Sequence, residues 1–303
     1  MKLFKNRYGE VRSGWSVTIS MIIFLILSVI FFQGIVLGLV AVLIGEDFYN
    51  ENLYAIANIA SQGFMFLVAY LIYKVGYRRP VSQLGLTKEK GAGNFLGGIL
   101  FGFIMFSAVV GGLVATGVLS FTGFNPGFYG QNDFYVAIST FSAGFGEEML
   151  CRGLLTFQMK TTRSKLAILT VPSVIFSLLH LLNPGITVIS LANIVIVGVL
   201  FGVLLMRTGS LWFCVGAHGI WNLAQGALYG IRVSGINSVG ILVSELSGTP
   251  LLAGGEFGAE GSIITTAVLL IAIGLSCVLF KKPVSSGFSC EGYLPLVKMK
   301  KQA

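Results

Sequence analysis

The chain is written in long apolar blocks parted by short polar joints. Blocks rich in Leu, Ile, Val, Phe, Ala and Gly run over roughly 15–44, 53–73, 94–118, 134–158, 166–182, 186–206, 209–229 and 262–280. A helix needs ~20 mostly apolar residues to cross the hydrocarbon core of a bilayer, and most of the blocks are close to that length or longer. The pattern predicts an all-α polytopic membrane protein, a bundle of about eight transmembrane helices that forms one transmembrane domain over residues 1–303. The joints at "LLNPGIT" and "MRTGS" are short, so the helices on either side must turn tightly. A basic leader precedes the first block. Its apolar part is far longer than a signal-peptide core and no small-residue cleavage site follows, so it reads as an uncleaved span.

Composition agrees with this reading. Only 11% of the residues are charged, 55% are hydrophobic and the mean hydropathy is +0.86, whereas soluble domains carry about 25% charged residues. The net charge of +8 is unevenly placed. Lys2, Lys5, Arg7 and Arg12 precede the first block, and Lys74, Arg78, Arg79, Lys88 and Lys90 follow the second. Lys160, Arg163 and Lys165 follow the fourth, Arg207 the sixth, and Lys281, Lys282, Lys298, Lys300 and Lys301 the last. Cytoplasmic joints collect Lys and Arg, so both termini are expected in the cytoplasm, with Arg232 on the opposite side. The basic surplus is then topological, suits contact with anionic lipid headgroups, and requires no nucleic acid. Cys151, Cys214 and Cys277 lie in blocks and Cys290 in the tail, with no CxxC pair, so neither a disulfide nor a cysteine metal site is expected.

Against this background five titratable side chains stand out. Glu147, Glu148 and Arg152 interrupt the fourth block, and the chain's two histidines, His180 and His218, fall in the fifth and seventh. A charge at the centre of a membrane helix costs ~2.5–3.5 kcal/mol on insertion scales, and such residues usually face the bundle interior and mark function. Glu148 and Arg152 are four apart and can pair on one helix face, while Glu147 points ~100° away. Depth gives a further test, at ~1.5 Å per helical residue. Glu147 lies ~20 Å from Lys160, His180 ~22 Å from Lys165, and His218 and Asn222 ~17 and ~22 Å from Arg207. Four polar groups on three helices thus reach one level of the bilayer.

These residues also carry a resemblance. "EEMLCR" resembles an EExxxR motif, "FSLLH" an FxxxH motif and "HGIWN" an HxxxN motif. In this order they resemble the intramembrane glutamic proteases of the CPBP, or Abi, family, which includes type II CAAX prenyl endopeptidases and bacteriocin-processing or self-immunity proteins. Cys151 departs from the aromatic residue that many relatives carry before the arginine. The resemblance implies a catalytic core over 134–229 within an eight-helix bundle. Glu147 would be the general base, His180 would help it hold a water, and His218 with Asn222 would form an oxyanion hole. Glu148 and Arg152 would brace the site, with Phe176 beside them. It further implies no cofactor and no metal, a membrane-associated protein or peptide as substrate, and a bacterial cell membrane as the location.

Two other readings use the same residues. Glu147, His180 and His218 make a two-histidine, one-carboxylate set of the kind that binds catalytic zinc, although nothing resembles the HExxH signature. A transporter or a non-enzymatic immunity protein could also hold Glu and His at membrane depth. A Glu148–Arg152 pair can be a purely structural lock, and Asn222 can simply join helices.

Overall fold

The computed structural model of the chain describes residues 3–6, 10–45, 51–128 and 131–280, the side chains of residues 51, 52, 131 and 132 aside. Lys2, Arg7, Cys290 and the lysines after residue 280 lie outside the described residues.

The apolar blocks become helices because a bilayer offers the backbone no hydrogen bonds, so each span must satisfy its own N–H and C=O groups. Of the described residues, 75% are helical. Helix α1 spans Ser13–Ile44 and α2 Glu51–Tyr77. Next come α3, Gly91–Ala115, and α4, Gln131–Glu148, whose rod continues through Met149–Leu155 to Thr156–Met159. After these come α5, Lys165–Leu178, α6, Val188–Thr208, α7, Leu211–Leu223, and α8, Ile263–Leu279. Four of them, α1, α2, α3 and α6, are long and apolar enough to cross a membrane, while α5 and α8 are apolar but shorter than 18 residues. The predicted all-α membrane architecture is therefore present. One block was drawn too long: helix α5 stops at Leu178, and His180 sits in the turn beyond it, its N–H bonded to Ser177 O at 3.0 Å.

Three of the rods are wound wider than an α-helix over part of their length. The π-helical stretches are Leu25–Leu37 in α1, Met149–Leu155 in α4 and Ala224–Leu228 beyond α7. Beyond the helices, strands β1, Leu119–Phe124, and β2, Leu242–Leu246, pair antiparallel with an irregularity between Phe121 and Gly123. The helical pattern gave no hint of this small sheet.

Glycines set how closely the rods approach. A Cβ on Gly98 or Gly102 of α3 would stand 2.1 or 2.2 Å from the carbonyl oxygens of Phe213 or Ala217 in α7. One on Gly144 of α4 would be 2.9 Å from Gly219 N and Val215 O of α7. Lipid tails supply no hydrophobic drive between helices, so close van der Waals contact at small residues takes its place. These contacts hold α7 between α3 and α4, which decides where the histidine of α7 lies relative to the glutamates of α4. The core around them includes Met149, Leu150, Leu154, Phe201, Leu204 and Val215, all at most 2% exposed.

Candidate active site

Helix α4 carries both glutamates just before its backbone widens into the π-helical turns, a feature common at functional sites. The switch to longer-range bonding is satisfied locally, since the Thr156 hydroxyl donates to Cys151 O at 2.9 Å. Being adjacent, the two carboxylates face different ways: Glu148 is fully buried, whereas the Glu147 side chain keeps 19% exposure. One looks into the bundle and the other into a cavity.

The buried carboxylate is shared. Arg152 Nη1 lies 3.2 Å from Glu148 Oε1, which is the pair that the four-residue spacing predicts. His218 Nδ1 reaches the same oxygen at 3.0 Å. Arg152 is 1% exposed, and its guanidinium lies over the Phe176 ring at 4.4 Å and near the Phe201 ring at 5.4 Å. Both guanidinium terminal nitrogens and Glu148 Oε2 have no aligned hydrogen-bond partner among the described residues. Charge and the aromatic faces hold this arginine, as cation–π geometry allows.

Around Glu147 the two imidazoles converge. His180 Nε2 lies 4.0 Å and His218 Nε2 3.8 Å from Glu147 Oε2. The opposite ring nitrogens fix the tautomers. His180 Nδ1–H donates to Phe176 O at 2.8 Å, and a carbonyl can only accept. His218 Nδ1–H donates to Glu148, so in each ring Nε2 is the nitrogen left to face Glu147. Phe176 meets His180 edge-on at 4.8 Å and His218 at 5.9 Å, while Phe201 stacks on His218 at 5.4 Å. Phe176 therefore touches the arginine and both histidines.

Asn222 follows His218 by one turn of α7 and lines the same cavity, its Nδ2–H directed at Thr140 O over a long 3.5 Å. The cavity has a volume of about 480 Å³ and is bounded near Glu147 by His180, His218 and Asn222. Farther along it is bounded by Gln33, Asn58, Asp133 and Asn237. Among the described residues no group of three or more His, Cys, Asp or Glu side chains is arranged to hold a metal ion. Cys151 and Cys214 are buried free thiols, and Cys277 is free on an exposed face.

Two features escaped the sequence. Glu148 meets His218 from 70 residues away, and no local spacing announces that contact. Glu260, in the Gly-rich joint before α8, accepts from Trp221 Nε1 at 3.1 Å and from the N–H and hydroxyl of Ser234 at 2.7 and 2.9 Å. It also lines a small cavity with His180, His218 and Asn222. An acid in a glycine-rich stretch reads as a solvated turn unless its partners are known.

Residues 131–224 match the family model described as Type II CAAX prenyl endopeptidase Rce1-like. No curated protein and no solved structure matches the chain. The matched segment holds all three motifs, and the family is the one to which they point.

Proposed function

We propose that the Rce1-like segment makes this chain an intramembrane glutamic endopeptidase that works without a metal. The observation that carries the reading is the placement of Glu147 Oε2 at 3.8 and 4.0 Å from two imidazole Nε2 atoms. Those gaps are too long for direct hydrogen bonds, and one oxygen atom about 2.8 Å from each group would bridge them. A water so placed is the nucleophile. Its oxygen bonds to the peptide carbonyl carbon while its proton passes to Glu147, with the His180 lone pair orienting the second O–H. The carbonyl oxygen becomes an oxyanion, to which Asn222 Nδ2–H and His218 donate. Collapse re-forms the C=O, the C–N bond breaks, and Glu147 returns its proton to the departing amine.

The tautomers sharpen the role of His218. Its Nδ1–H is committed to Glu148, so its Nε2 can donate to an oxyanion only as the imidazolium. Glu148 beneath the ring stabilises that cation, and Arg152 balances the carboxylate in turn. We place the protein in a bacterial cell membrane on the resemblance of its motifs to bacterial members, with both termini cytoplasmic because Lys and Arg collect in the joints on one side.

The test is direct. Glu147→Gln, His180→Ala and His218→Ala should each abolish peptide cleavage by protein reconstituted in liposomes, while still inserting at wild-type level. Wild-type cleavage by Glu147→Gln would remove the general base. The zinc reading draws on the same two Nε2 atoms facing one carboxylate. It requires bound metal in the purified protein and loss of activity in strong chelator, and this account expects neither.

A further inference from the structure

The helices set the polarity of the cavity. Its α2 lining begins at Tyr54 and Asn58, and its α4 lining begins at Asp133, each close to the start of its helix. The basic residues of those rods, Lys74 and Lys160, lie at the far ends, and Asn58 is ~24 Å along α2 from Lys74. With Lys and Arg marking the cytoplasmic end, the cavity runs from Glu147 toward the non-cytoplasmic face.

At that end a piece of main chain borders it. Asn237, Ser238 and Val239 follow the Val233–Ile236 bridge and precede β2, in neither helix nor strand. All three line the cavity that holds Glu147, and Asn237 and Val239 are exposed. Among the described residues, no hydrogen bond satisfies the main-chain N–H or C=O of any of the three. Their neighbour Ile241 is bonded in both directions, its N–H to Ala227 O and its C=O to Asn125 N–H, each at 2.8 Å. Unpaired non-helical backbone beside a cleft is a template for adding an extended peptide, in which main-chain bonds supply affinity. The charge of the walls selects further. Asp133 and Glu147 line the cavity and, among the described residues, neither Lys nor Arg does.

We propose that this peptidase takes its substrate from the non-cytoplasmic side and holds it extended along Asn237–Val239, and that the segment bound there carries no acidic side chains. The proposal rests on the peptidase reading for its chemistry, and on backbone and topology for its site. A peptide lying along this rail occupies the cavity that holds Glu147. An acidic side chain would enter a cavity lined by two carboxylates and, among the described residues, by no Lys or Arg.

The experiment uses the full-length chain in intact cells and then in liposomes. Asn237→Cys and Lys88→Cys are treated on intact cells with a membrane-impermeant polyethylene-glycol maleimide. Asn237→Cys should label and Lys88→Cys should not; the reverse pattern overturns the proposal. Cleavage is then followed with short internally quenched peptides, one set neutral and one containing Glu on either side of the scissile bond. Labelling Asn237→Cys in the vesicles should remove most of the activity that the same protein shows before labelling. Val239→Pro, which removes one main-chain donor, should raise KM by about tenfold with kcat retained. Equal cleavage of the neutral and Glu-containing sets, or an unchanged rate after labelling, contradicts the rail. Glu147→Gln in the same vesicles scores the catalytic reading separately: its activity would defeat the chemistry, while labelling still reports which side of the membrane residue 237 faces.

Discussion

In the proposed reaction five ionisable side chains and one amide carry the chemistry, and their neighbours decide their roles. Glu148, Arg152 and His218 form one buried unit, in which removing Glu148 or Arg152 strands the charge of the other. Glu148→Ala and Arg152→Ala should each lower stability by about 3–5 kcal/mol, read as loss of protein level and of thermal stability in detergent. The double variant Glu148→Met with Arg152→Met should recover much of that level, because an apolar pair leaves no orphaned charge, yet it should not cleave peptide. Recovery of activity as well would show that the pair is only a structural lock. Glu147 belongs to a different class. It is partly exposed to the cavity and, among the described residues, its nearest imidazole nitrogens lie beyond direct hydrogen-bond reach, so Glu147→Gln should leave stability unchanged while removing activity.

The elements bring these residues together through close approach. A Cβ at Gly219 would meet the Phe141 ring at 2.8 Å and Phe141 O at 2.9 Å, which pushes α7 away from α4. Gly219→Ala should cost about 1–3 kcal/mol, as overpacking does, and should cut activity further than that instability alone would, by separating His218 from Glu148. Gly111→Ala, where nothing lies within 4 Å, is the control and should be neutral or mildly stabilising. Much of this level was legible beforehand. The bilayer forces helices wherever apolar blocks are long, and the four-residue spacing of Glu148 and Arg152 states their contact outright. The π-helical turns after Glu148 were not legible, because the local sequence "MLCRGLL" looks like any apolar helix and the widening follows from packing. Nor was the release of His180 from α5, since a helical ruler continued past Leu178 has no reason to stop. The depth estimate still brought His180 beside Glu147, because a hydrogen-bonded turn carries the chain on along nearly the same axis.

At the scale of the whole molecule, Lys74 and Lys160 lie at the ends of their rods far from Asn58 and Asp133, which line the cavity near the other ends. On the positive-inside rule that gives the proposed peptidase a direction, with the unpaired main chain of residues 237–239 at its outer end. It also bears on the competing readings. A metal-dependent enzyme should purify with close to one zinc per chain and stop in chelator; the present account expects undiminished cleavage in chelator and no stoichiometric metal. An immunity protein that acts by binding alone should protect cells equally well with Gln at position 147. The most direct single measurement is cleavage of membrane-associated peptides by wild-type and Glu147→Gln proteins inserted at equal level in the same liposomes. The account predicts fragments from the wild type and none from the variant, and matching fragments from both would contradict it.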